Sequence, residues 1–173
     1  MLAYLFFHRP APGVDRRLYE EGLREFHAAL AGAHPAMYTG SATYWIGEGY
    51  CDWYMVESSA ALDTLNEIAV SGPRSAPHRA VAQRAIDTAG KLMSLVAGRP
   101  SLAGEFEIRF SKPRGMDYPE LYARLRPVTE RKGVSLWRRM MTLGPPPEFV
   151  LLSPERLELP SEMSPEAISR EQV

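Results

Sequence analysis

The strongest constraint on this chain is a pattern that occurs twice. Tyr4-Leu5-Phe6-Phe7-His8-Arg9-Pro10 leads into a stretch of helical periodicity carrying Leu18-Tyr19, and Ile108-Arg109-Phe110-Ser111-Lys112-Pro113 leads into one carrying Leu121-Tyr122. Each stretch is followed by a glycine (Gly40, Gly133) and a strand-like segment with a tryptophan (Trp45, Trp137). An acidic residue then opens an apolar run: Asp52-Trp53-Tyr54-Met55-Val56 and Glu148-Phe149-Val150-Leu151-Leu152. Two copies of one unit must bury the same faces in the same order, which constrains architecture more than any short motif does. The pattern names no reaction.

Within the first copy, the nearly continuous apolar run over residues 2–8 suits a strand covered on both faces. Val14, Leu18, Leu23, Phe26 and Leu30 recur at helical spacing and predict a helix over 14–31, with Asp15 placed to cap it. Strands are expected at 41–46 and 51–57, joined by Gly47-Glu48-Gly49, where glycine supplies the positive φ of a tight turn. A helix over 59–69 starts at Ser58 or Ser59, Ser71-Gly72-Pro73 breaks it, and a second helix runs from Pro77 to about Asp87. A fourth strand covers 91–97. Gly98-Arg99-Pro100-Ser101 is the expected boundary between two units, 1–98 and 99–173.

In the second copy, Phe106, Ile108 and Phe110 alternate with Glu105, Glu107 and Arg109, the pattern of a strand with one polar face. Asp117-Tyr118-Pro119-Glu120 has the chemistry of a helix start, and Pro127 is expected to kink or end that helix. Residues 134–142 and 148–153 form the next strand pair. After Pro154 the second copy fades, its fourth strand absent or reduced to a tail with Ser164–Arg170 as a weak helix.

The order β-α-β-β in each copy gives an α+β fold: two ferredoxin-like repeats with antiparallel sheets and helices on one face of each. Over about residues 1–155 this element order and its repetition resemble the dimeric α/β-barrel superfamily in its tandem form. The resemblance implies two sheets that face each other and enclose a cavity, within one fused chain or in a homodimer. Members of the superfamily include small monooxygenases, dehydratases and haem-binding enzymes, so the resemblance transfers no single activity.

Composition closes off several classes. Twenty basic and 21 acidic residues leave a net charge of −1, without the footprint of a nucleic-acid or anionic-membrane partner. The single cysteine, Cys51, excludes an intramolecular disulfide and a cysteine zinc site, and reads as a buried thiol compatible with a reducing cytoplasm. Met1 to Phe7 is too short for a signal sequence, and no apolar run approaches the ~20 residues of a membrane span.

The candidate chemistry is spread out. His8, at the end of the first strand, and His78 are the candidate catalytic bases. Arg109 and Glu107 share a strand face that should look away from the helices. Either Arg138 or Arg139 joins that side, and with Trp53 they would hold an anion beside a flat apolar group. Arg74 sits in the loop Ser71–Arg79, which enters a helix start where anions are favoured. His27 and His34 are expected to be exposed, and Met93, Met140 and Met141 to fill the core. No metal site and no cofactor is called. Three functions remain open: a binder of a small, partly apolar anionic ligand between the facing sheets, a cofactor-independent monooxygenase- or isomerase-like enzyme, and an assembly protein contacting partners through its proline-rich tip at residues 145–147.

Overall fold

The structure, a computed structural model, describes residues 1–33, 35–72, 75–141 and 144–173. His34 and Arg74 therefore lie outside the described residues. The first half runs β1 (Leu2–Pro10), α1 (Arg16–Gly32), β2 (Tyr38–Trp45), β3 (Tyr50–Val56), α2 (Ala60–Val70), α3 (Ser75–Ala82) and β4 (Ala85–Gly98). The second runs β5 (Phe106–Phe110), α4 (Tyr118–Thr129), β6 (Ser135–Arg139), β7 (Phe149–Ser153), β8 (Glu166–Ser169) and β9 (Glu171–Gln172).

All strands join one nine-stranded sheet in the order β8-β5-β7-β6-β4-β1-β3-β2-β9, and every pairing is antiparallel. The first half is wound β4-β1-β3-β2 and the second β8-β5-β7-β6, the same ferredoxin-like order. β8 and β9 stand at opposite edges of the sheet, yet only Arg170 separates them in the chain. One extended segment therefore pairs with β5 through its first part and with β2 through its second, and the sheet closes into a barrel. The Arg170 amide donates to the Glu105 carbonyl and the Val173 amide to the Thr43 carbonyl, carrying the seam across both edges. Closure removes the open edges that would otherwise invite pairing with another chain.

Strand alternation divides the side chains between the inside and the outside of the barrel. Ala3, Leu5, Trp53, Met93, Trp137, Val150 and Leu152 form the buried interior. Outside, α1, α2 and α3 cover the first half and α4 covers the second. Asp15 caps α1, its carboxylate accepting from the Leu18 amide at 2.9 Å. Asp117 caps α4 in the same way through the Glu120 amide at 2.8 Å. Pro127 falls in the last turn of α4, which ends at Thr129. At the exit of β4, Gly98 has φ +81°, and a Cβ there would run into the Val134 carbonyl, so the crossing between halves requires glycine.

Several expectations need correction. Residues 164–170 do not form a weak helix, because β8 takes up 166–169 as the fourth strand of the second half. Short alternating segments are weak helix formers when a sheet edge stands open beside them. α3 ends at Ala82 rather than near Asp87, and β4 begins at Ala85, earlier than expected. On α1 the buried face is Tyr19, Leu23, Phe26 and Leu30, with Leu18 half exposed. Trp45 and Trp137 are not equivalent: Trp45 pairs with the outward Tyr50, whereas Trp137 pairs with the inward Val150. Met93 is buried as expected, but Met141 is 85% exposed and fills no core.

Candidate functional site

β3 is buried along its whole length, and an acid sits in the middle of it. Register fixes what surrounds that acid. Across β1, β3 and β2 the outward rows are His8–Tyr50–Trp45, Phe6–Asp52–Thr43 and Tyr4–Tyr54–Ser41. Over these rows lies α1, where Tyr19, Leu23 and His27 recur every fourth residue and so share one stripe. Asp52 is thus held between sheet neighbours and two polar groups lowered onto it by a helix.

Three arms converge on its carboxylate. Thr43 donates to Oδ1 at 2.6 Å and Tyr54 donates to Oδ2 at 3.0 Å. His8 Nε2 lies 3.3 Å from Oδ1 as an ion-pair approach without an aligned hydrogen bond, His27 Nε2 stands 3.6 Å from the same oxygen, and His8 Nδ1 lies 2.7 Å from the Tyr19 hydroxyl. With the carboxylate on the Nε2 side, the favoured tautomer protonates Nε2 and lets Nδ1 accept from Tyr19. The Thr43 arm extends outward. His27 Nε2 is 2.9 Å from Thr43 Oγ1, His27 Nδ1 is 2.5 Å from Ser41 Oγ, and Tyr38 reaches Ser41 Oγ at 2.6 Å. One proton assignment satisfies the whole chain, each donor pointing towards Asp52. Aromatic rings fix the imidazoles: His8 stacks on Tyr50 at 5.6 Å and His27 on Tyr54 at 5.2 Å.

Electrostatics follow from this packing. Burial acts to raise the Asp52 carboxyl, but its interactions with His27 and His8 outweigh it and leave the group below the usual carboxylate range. Burial, with the Asp52 charge beside it, raises the Tyr19 phenol, and burial likewise raises Tyr54. Both phenols are therefore neutral donors at neutral pH, and Asp52 is an anion.

The network forms one wall of a cavity of about 520 Å³ between the sheet and helices α1–α3. His8, Tyr19, Asp52 and Tyr54 face it from one side, and Leu65 and His78 from the helices opposite. His78 packs edge-on against Phe26, and burial lowers its imidazole. Among the described residues no lysine or arginine lines this cavity. A smaller recess of about 190 Å³, bordered by Arg24, His27, Ser41 and Thr43, lies on the far side of the network.

His8 and His78, far apart in sequence, thus meet at one cavity. His8 is buried rather than at an exposed rim, and His27, expected to be exposed, has a side chain only 11% exposed. The remaining candidates lie elsewhere. Arg109 and Glu107 point into the barrel, where Arg109 Nε donates to Glu107 Oε1 at 2.6 Å. Trp53 is inside too, but its indole meets Trp137 at 5.6 Å instead of framing a slot. Arg138 does not join them. It faces outward, donating to the Tyr122 hydroxyl and lying over the Tyr118 ring, because its strand partner Phe149 is an outward residue. Arg139 is the one on the inner side, opposite Met93. Asp52, Tyr19, Thr43 and His27 went unnoticed as site residues. A carboxylate inside an otherwise apolar strand was the available signal, since such a group persists only with partners.

Among the described residues no group of three or more His, Cys, Asp and Glu side chains is arranged to hold a metal ion, and no helix is long and apolar enough to cross a membrane. Of the His8 ring nitrogens, Nδ1 is engaged by the Tyr19 hydroxyl, while Nε2 is buried beside Asp52 without an aligned hydrogen bond.

No family profile matches the chain, and no curated protein matches it in sequence. Two solved structures share its fold. One, described as a "putative monooxygenase" from Lactobacillus acidophilus, superposes with a TM-score of 0.63 over 99% of this chain and 93% of its own, at 9% identity. The other, described as a "putative chlorite dismutase", gives a TM-score of 0.57 over 90% of this chain and 80% of its own, at 11% identity. At such identities the likeness is one of fold alone: a ferredoxin-like α+β architecture with an antiparallel sheet.

Proposed function

We propose that this protein is an acid–base enzyme acting on a small, neutral, largely apolar molecule held between the sheet and helices α1–α3. One observation carries the reading: Asp52, His8 and Tyr19 stand in succession, 3.3 Å and 2.7 Å apart, among the residues that line a roomy, mostly apolar cavity. The proton step balances. A weakly acidic O–H or C–H of the substrate gives its proton to the Tyr19 oxygen, the Tyr19 proton passes to His8 Nδ1, and the resulting imidazolium is stabilised by the Asp52 carboxylate. Proton removal of this kind opens both isomerisation and cofactor-free oxygenation, so the neighbour described as a monooxygenase is compatible with it. The acidic residues at the wall and the lack of a lining cation among the described residues favour a neutral ligand over an anionic one here. The same winding order in both halves supports reading the chain as a tandem copy of the superfamily unit.

The test uses 2-tetralone, a flat ketone with acidic C–H groups next to its carbonyl. Proton NMR in D₂O follows exchange at that carbon with wild type, Tyr19→Phe and Leu65→Trp. The expected result is exchange faster than buffer with wild type, about 100-fold slower with Tyr19→Phe, as for loss of one acid–base group, and abolished when the Leu65→Trp indole fills the cavity. Equal exchange in all three proteins would refute the reading.

A further inference from the structure

The inner face of the barrel holds a second group of polar residues, separated by the sheet from the cavity outside. Alternation along the closing segment turns Arg170 inward, and its side chain is fully buried. Its guanidinium carbon lies 3.5 Å from the centroid of the Tyr44 ring and 5.3 Å from that of Trp53. Among the described residues none of its three side-chain nitrogens has a hydrogen-bond partner, and Glu107 Oε2 stands off at 4.0 Å. Arg109 uses Nε on Glu107 and leaves Nη2 buried without a partner. Lys91 is 2% exposed, shares the Phe7 ring with Arg109, and among the described residues finds only the Pro147 carbonyl at 3.4 Å. Arg139 projects to the same side and donates to the Gly144 carbonyl.

Among the described residues, Arg109 and Arg170 approach the one buried carboxylate on this face, Glu107, at 2.6 and 4.0 Å, while Lys91 and Arg139 meet only backbone carbonyls. Unpaired charge inside a protein is costly, and guanidinium groups pre-stacked on aromatic rings, with free N–H groups, are the usual means of holding planar or tetrahedral oxyanions.

We propose that the barrel interior is a binding site for a small oxyanion, of carboxylate or phosphate type, held between Arg109, Arg170 and Lys91. The aromatic rings set the size limit. Trp53 and Trp137, both fully buried, meet edge-on at 5.6 Å in the same interior and favour a small anion over a ring-bearing one. Glu107 acts as the resident counter-charge, pairing with Arg109 and weakening the site for other anions. Burial, with Arg109 second, lowers the Lys91 amine to about 8, as expected of an amine whose counter-ion is missing.

The experiment is calorimetric titration of the full chain with inorganic phosphate and, separately, with acetate, at constant ionic strength set by sodium chloride. Binding of either anion above chloride supports the site, and the tighter of the two identifies the oxyanion type. Glu107→Gln removes the competing carboxylate and should tighten binding about tenfold, while Lys91→Met should weaken it about tenfold, each being the loss of one charged contact. A structural ion-pair layer would instead lower thermal stability in Glu107→Gln with no gain in affinity. Should Glu107→Gln fail to fold, wild type against Lys91→Met decides. Absence of binding above chloride in wild type, or equal affinity in wild type and Lys91→Met, overturns the proposal. Its failure would leave the outer cavity untouched, since the two sites share no residue.

Discussion

The two halves wind their strands in the same order but finish their outer faces differently. In the first half, the rows under the helices carry His8, Asp52 and Thr43, and a cavity separates them from α2 and α3. In the second half the corresponding layer is apolar at its centre, with Arg138 beside it: Phe110 stacks on Phe149 at 5.1 Å, packed by Leu121, Leu125 and Met163. Among the described residues no α-helix follows β7, only a 3-10 turn at Ser161–Met163. Instead the segment carrying Leu157, Leu159 and Met163 lies directly on the sheet. On the proposed function, the difference separates scaffold from site. A face that only needs to hold a barrel together fills itself, whereas the first half keeps a buried carboxylate and empty volume at a cost in stability that packing alone would not require.

The largest expected effects test that contrast directly. Phe149→Ala should cost about 3–5 kcal/mol in denaturant unfolding, the usual cost of emptying an aromatic site in a packed core. Asp52→Ala should cost a similar ~3–5 kcal/mol, because it strands His8, Thr43 and Tyr54 without their common acceptor. The two must differ in their response to pH. Asp52 titrates below its unfolded value, so its contribution is full above the ordinary carboxylate pKa of about 4 and is lost as pH falls from there. Asp52→Asn should therefore lack part of the acid destabilisation seen in wild type, and Phe149→Ala should retain it. If urea midpoints of all three fall in parallel below pH 4, the network is not what stabilises Asp52.

A middle-sized effect comes from inside the barrel. The folded amine of Lys91 titrates near 8, below its unfolded value. Between about pH 8 and about 10.4 the unfolded chain holds this proton and the folded chain does not, so stability rises with pH across that window. Lys91→Met should remove this rise and be more stable than wild type at pH 7. Thermal melts across the window check it.

The smallest effects come from two adjacent residues on α1. Tyr19→Phe removes one hydroxyl from a buried pair and should cost about 1–2 kcal/mol. Leu18→Ala, at a side chain 51% exposed, should stay within about 0.5 kcal/mol. A reversal of this order would mean that α1 is rotated by one position.

That pair also marks where sequence reasoning stops. Leu18 and Tyr19 are both apolar enough to belong to either side of an amphipathic pattern, and periodicity alone favours leucine. Only the sheet beneath decides, by offering His8 to a hydroxyl. The element order and the helix caps at Asp15 and Asp117 were legible because caps and alternation are local. β8 was not legible, because four residues become a strand only beside the open edge of β5. Glu107 and Arg109 could be assigned to the inner face from alternation, but Arg138 could not, since its side depends on the register of β6 against β7. Asp52 was visible as an acid opening an apolar run. Its role was hidden because its partners come from α1, β1 and β2, which no local pattern connects.

The central claim, that function resides in the first half's outer cavity, is tested most directly by methyl NMR. Leucine and alanine methyl groups are labelled and 1-naphthol, a neutral aromatic alcohol, is titrated in. The account expects shifts at Leu23, Leu65 and Ala69, which line the cavity, with Leu121, Leu125 and Leu151 of the second half unmoved. Shifts confined to the second half, or none at saturating probe, would contradict it.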